Sequence, residues 1–296
     1  MNFETRIGRN RRRTAVLLSF LFGLVWFTSY VAGTYLGGGG VSLTMIAAAV
    51  AVGAAWGSYW KSDSIVLAVT RARLTDAGEA PQLHNVVEEV CLAAGLPKPR
   101  IAIVEDPAPN AFATGRDPQH AVVAFTTGLL ERMDREELQG VAAHELAHIA
   151  NRDTLVMSIA ATSAGIVALI ADLLWRIAFF GGGDRKRDTH PLALVAGLVG
   201  VLLAPLAAAL LRSSISRSRE TLADASAVAY TRNPAGLRRA LEKLGADSTV
   251  VRARSNATAH LWIESPLSGK ASKLFATHPP IEERIAALRS LEGLDR

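Results

Sequence analysis

Four long apolar runs constrain this chain more than any other feature. The first extends from about Thr14 to Leu36, the second from about Val41 to Trp60, the third from about Leu155 to Phe180, and the fourth from about Pro191 to Leu211. A helix needs roughly 20 predominantly apolar residues to cross the hydrocarbon core of a bilayer. The first, second and fourth runs reach that length without a charge. The third is uncharged from Leu155 to Ala171 and then carries Asp172 and Arg176. These two are four apart and can pair on one helix face. A buried hairpin packed on a soluble domain competes with membrane insertion for the third and fourth runs.

Composition fits a soluble domain interrupted by spans. Half the residues are hydrophobic, yet 20% are charged. Arg6, Arg9, Arg11, Arg12 and Arg13 precede the first run, and cytoplasmic flanks of spans are rich in such residues. A cleaved signal peptide is the competing reading, but its apolar core would be only about 7–15 residues long. The second run also follows closely, after Gly37-Gly38-Gly39-Gly40. The expected organisation is a basic cytoplasmic N-terminus (1–13), a transmembrane hairpin (14–60), a first soluble piece (61–154), a second apolar hairpin (155–211) and a second soluble piece (212–296). Two spans return the chain near Lys61 to the side it started from, so the soluble part faces the cytoplasm. Arg185, Lys186 and Arg187, between the third and fourth runs, count against this orientation. No aromatic-interleaved basic surface follows the arginine cluster, so nucleic acid is not an expected partner. Cys91 is the single cysteine; with no intrachain disulfide available, it reads as a core residue among Val86, Val87 and Val90.

The first soluble piece predicts a helix over Gln82–Ala94, a strand over Arg100–Val104, and a strand pair over Asn110–Thr114 and Ala121–Thr126 joined by Gly115-Arg116-Asp117-Pro118. Asp134 with Glu137 three residues on predicts a capped helix start. Within that helix lies His144-Glu145-Leu146-Ala147-His148. Histidines at i and i+4 share a face, so both imidazoles can converge on one tetrahedral zinc. Glu145, beside the first, can serve as general base. The bland reading is two surface histidines on an ordinary helix; Val141, Ala142, Ala143 and Ile149 argue instead for a helix packed into a core.

A catalytic zinc takes three protein ligands and keeps one position open. No third histidine follows closely, so a carboxylate is the expected partner. Glu220 and Asp224 are i and i+4 after the fourth run. Glu220 can ligate while Asp224 accepts the free ring N–H of a ligating histidine. A solvated charged face explains the same spacing equally well. Asp153 is either a similar partner or a polar turn before the third run. His278, ahead of Pro279-Pro280, is either an oxyanion-stabilising group in the cleft or an exposed loop residue.

Long ordered motifs carry a resemblance that covers nearly the whole chain. They are Pro109 to Gly115, Gly140 to Asp153, Ser216 to Asp224, Asn256 to His260, and Thr277-His278-Pro279-Pro280-Ile281-Glu282-Glu283-Arg284-Ile285. With the N-terminal hairpin, they resemble the HtpX family of membrane zinc metalloproteases, relatives of the CaaX prenyl proteases. The resemblance implies an α+β, gluzincin-like protease domain tethered by about four transmembrane helices in a cell membrane. It implies one Zn2+ per chain held by His144, His148 and Glu220, with Glu145 as base. Asn110, Ala111, Phe112 and Ala113 would form an edge strand binding extended peptide. The implied substrates are misfolded or damaged membrane polypeptides, in protein quality control under stress. A CaaX-type prenyl protease and a zinc-dependent membrane scaffold or chaperone without proteolysis are the alternatives. The first is disfavoured by the few spans, the second by the intact Glu145.

Overall fold

The computed structural model describes residues 8, 12, 14–23, 25–26, 41–180, 217–249, 251, 258, 261–263 and 280–292. A four-stranded sheet forms its centre: β1 (Arg73–Thr75), β2 (Arg100–Val104), β3 (Ala111–Gly115) and β4 (Ala121–Thr126), in the order β1-β2-β4-β3. β2 and β4 run parallel; the other two pairings are antiparallel. The β3–β4 hairpin is the expected strand pair, closed by a 3-10 turn at Pro118–His120. Gly115 takes φ +127° there, and a Cβ on it would lie 2.5 Å from the carbonyl oxygen of His120. Only glycine closes this turn without strain.

β4 reads Ala-Val-Val-Ala-Phe-Thr, apolar without alternation, because both faces of the sheet are covered. Ala121, Val123 and Phe125 point into one core with Ala111 and Ala113. That core is completed by α3 (Pro81–Ala94), α5 (Arg135–Ala150) and α8 (Pro234–Ala246). Val122 and Ala124 point the other way with Phe112, toward Val66 of α2 (Ser62–Thr70) and Met157 and Ala161 of α6 (Asp153–Phe180). Further helices among the described residues include α1 (Val41–Trp60), α4 (Thr127–Arg132), α7 (Arg217–Thr231) and α9 (Ile281–Glu292). The architecture is therefore mixed α+β, with helices on both sides of a small sheet.

Central among the helices is α5. Its start is a full capping box: Glu137 N–H donates to Asp134 and Asp134 N–H donates to Glu137, both at 2.9 Å. From there to Ile149 it is buried almost all round. Small residues admit its neighbours: a Cβ on Gly140 would sit 2.6 Å from the backbone nitrogen of Leu237, so α8 rests directly on the α5 backbone.

The second and third apolar runs are helical, as α1 and α6. Among the described residues no helix is long and apolar enough to cross a membrane. The opening half of α6 is buried within the protein, where Leu155, Val156 and Ile159 pack with Leu17. The fourth run and the extreme N-terminus lie outside the described residues. α1 ends in an aromatic cluster: the Trp56 and Trp60 rings lie 5.5 Å apart, tilted by 41°, and the Arg116 guanidinium stands 4.6 Å over the Trp60 ring.

Candidate active site

His144 and His148 lie one turn apart on α5, both buried, with rings 4.8 Å apart and nearly perpendicular. Their Nε2 atoms face each other at 3.2 Å. The carboxylate of Glu220 enters from α7, with Oε2 3.6 Å from Nε2 of His144 and Oε1 3.6 Å from Nε2 of His148. Two imidazole nitrogens and one carboxylate, its two oxygens turned one to each ring, thus converge with ligand atoms within 4.8 Å of one another, and all three residues are buried. A tetrahedral zinc with bonds of about 2.0–2.1 Å has ligand atoms roughly 3.3 Å apart. The donor set and its spacing therefore fit a zinc ion.

Electrostatics point the same way. Burial and the nearby Arg284 charge both work against a positive His144. Hydrogen bonding to Asp224 and Glu220 outweighs them and pushes its pKa up to about 9. Burial likewise opposes a charged His148, and the Glu220 and Asp153 carboxylates raise it nonetheless. The surrounding carboxylates therefore favour positive charge where the two Nε2 atoms and Glu220 converge.

Each histidine is backed through its other ring nitrogen. His144 Nδ1 lies 2.9 Å from Asp224, the residue one turn beyond Glu220 on α7. His148 Nδ1 lies 3.4 Å from Asp153 at the start of α6. The solvated-face reading of Glu220 and Asp224 is thereby excluded: both are buried. Glu145 is buried in the next position after His144. Asn110 and Ala111–Ala113 lie at the edge of the sheet, all buried. His278 lies outside the described residues.

Comparison with known proteins bears on the same residues. The model of peptidase family M48 matches residues 77–292. A protease HtpX homolog from Thermoanaerobacter pseudethanolicus is 52% identical over 241 residues, 80% of each chain. The homolog from Syntrophobacter fumaroxidans is 47% identical over 287 residues, covering 95% of this chain and 99% of its own. That from Pyrococcus furiosus is 45% identical over 94% of this chain and 95% of its own. The chain belongs to the HtpX family within peptidase family M48. The crystal structure of S. mikatae Ste24p aligns with TM-score 0.47 and 19% identity over 96% of this chain and 66% of its own, too weak a likeness to add to that assignment.

This HtpX-family metalloprotease contains two buried residues that sequence reasoning missed. Arg284 of α9 donates to both oxygens of Asp224, from Nε at 2.9 Å and from Nη2 at 2.7 Å. Arg219 of α7 lies 3.4 Å from Asp153. The histidines are therefore supported in parallel, His144 by Asp224 and Arg284, His148 by Asp153 and Arg219. Burial alone would keep Asp224 protonated; the Arg284 charge and the hydrogen bond with His144 overcome it and hold the carboxyl well below its usual range. The signal for Arg284 was local: on α9 it shares a buried face with Leu288, one turn on, where an arginine is out of place unless paired.

Arg284→Met is expected to leave Asp224 buried without its cation. Breaking a buried pair costs about 3–5 kcal/mol, and loss of a partner behind a metal ligand typically weakens metal binding about 10–100-fold. Thermal unfolding and zinc titration against a competing chelator check both; unchanged values in each would remove Arg284 from this role.

Proposed function

We propose that this metalloprotease holds one zinc ion at His144, His148 and Glu220 and hydrolyses peptide bonds in misfolded or damaged membrane polypeptides. The observation that carries the reading is the buried convergence of two imidazole nitrogens and one carboxylate. When bound, zinc supplies a Lewis acid that polarises a carbonyl and acidifies a water. Glu145, adjoining His144, takes a proton from the attacking water onto its carboxylate and passes it to the leaving amine. Asp224 and Asp153 accept the Nδ1–H groups of the two histidines, so each ring presents Nε2 to the centre. β3 is the strand along which an extended substrate would add.

We further place the chain in a cell membrane with about four spans and the catalytic domain toward the cytoplasm. The four apolar runs, the basic N-terminus and the exposed Trp56 and Trp60 at the end of α1 support this, since tryptophans concentrate where a bilayer meets water. Quality control of membrane proteins is the cellular role consistent with that placement.

Detergent-purified full-length enzyme given zinc is expected to cleave unfolded casein, to stop in excess chelator and to resume when zinc is restored, with one zinc per chain by elemental analysis. Cleavage that persists in excess chelator, with zinc absent by the same analysis, would end the metal reading.

A further inference from the structure

β3 has two edges, and only one belongs to β4. Thr126 N–H donates to the Asn110 carbonyl at 3.0 Å. In an antiparallel ladder the residues facing a partner alternate, so the backbone groups of Ala111 and Ala113 turn outward. An incoming extended peptide would need those groups. The chain already uses them: Ile263 N–H donates to the Ala111 carbonyl at 2.9 Å, and Phe112 and Trp262 form an antiparallel bridge. Their rings meet edge to face at 4.8 Å. α5, which carries both histidines, packs against β3.

Two features set this contact apart from the pairings of the sheet, although its residues are buried. Among the described residues it is one isolated bridge and not a strand of the sheet. Trp262 is fully buried, yet its indole Nε1 has no hydrogen-bond partner. A buried donor without an acceptor forfeits its hydration with nothing in return. A longer peptide pairing along Ala111–Gly115 would make more backbone bonds than one bridge.

We propose that Leu261-Trp262-Ile263 is an internal pseudosubstrate: it occupies the outer edge of β3 and is displaced when an extended polypeptide binds. The inference rests on the reading above that β3 receives substrate. Free enzyme would then be mostly self-blocked, and its apparent affinity lowered by the fraction of time the edge is open. Folded proteins, with no extended segment to offer, would be excluded.

The test uses full-length Glu145→Gln enzyme with zinc, which binds substrate without cutting it, and unfolded casein as ligand. Amide hydrogen exchange is followed at residues 261–263 and 111–115 while casein binding is read by fluorescence anisotropy. Saturating casein is expected to speed exchange at Ile263 at least tenfold while 111–115 stays protected. Bound casein with unchanged exchange at Ile263 overturns the pseudosubstrate alone; no casein binding overturns it together with the protease reading. In an otherwise wild-type chain, Trp262→Gly is expected to lower KM for casein severalfold with kcat nearly constant. An unchanged or raised KM in a folded Trp262→Gly enzyme also counts against it.

Discussion

Glu145→Gln is expected to reduce kcat on unfolded casein by about 10²–10⁴-fold, the range for loss of a general acid–base group. Glutamine keeps the shape of the side chain at this buried position but cannot accept and return a proton. Zinc per chain and thermal stability should stay near wild type, because Glu145 is not one of the three converging donors. The measurement pairs casein cleavage with elemental analysis of the same preparation. Wild-type rates in a zinc-loaded Glu145→Gln enzyme would mean that the base lies elsewhere or that a contaminant does the cutting. Loss of zinc together with activity would move Glu145 from the chemistry to the structure of the site.

Glu220→Ala should have a comparably large effect by a different route. It removes the only carboxylate among the three converging residues and leaves two imidazoles, one donor short of the usual catalytic set. Zinc content is expected to fall from one per chain toward zero after dialysis, and casein cleavage with it. Asp224→Asn is the informative comparison: it keeps the three donors and weakens only the support behind His144, so a loss of about 10–100-fold in zinc affinity is expected. If Glu220→Ala retained full zinc while Asp224→Asn lost it, the assignments of the two carboxylates would have to be exchanged.

The site's geometry was readable where spacing carries it. His144 and His148 share a face because they are four apart, and Glu220 and Asp224 share one for the same reason. The capping box at Asp134 and the β3–β4 pair were also local, each specified within a short stretch of chain. The partners of Arg284 were invisible in that sense, although its place on the buried face of α9 was not: Asp224 is 60 positions away and His144 is 140. No periodicity links residues that meet only after the helices pack. β1 was missed because Arg73-Leu74-Thr75 is too short to show alternation. α2 was missed because its inward face is partly polar, with Ser62, Asp63 and Thr70 buried and Ile65 and Val69 exposed. Asp63 instead pairs with Arg100 at 2.6 Å, another long-range contact.

The two halves of the metal group lie far apart along the chain. Glu220 and Asp224 follow His148 by more than seventy residues, and Arg284 comes close to the end. At about 5–20 residues per second of synthesis, a ribosome that has finished α5 needs several more seconds to deliver the third donor, and longer to deliver the arginine. Until then the nascent chain carries two histidines and a glutamate but no complete cage. A hydrolase made this way would stay inert during its own manufacture, and become competent only once the intervening apolar segments and α7 have been synthesised. Chains truncated before Arg217 should accordingly show no tight zinc binding, and finding it there would contradict this timing.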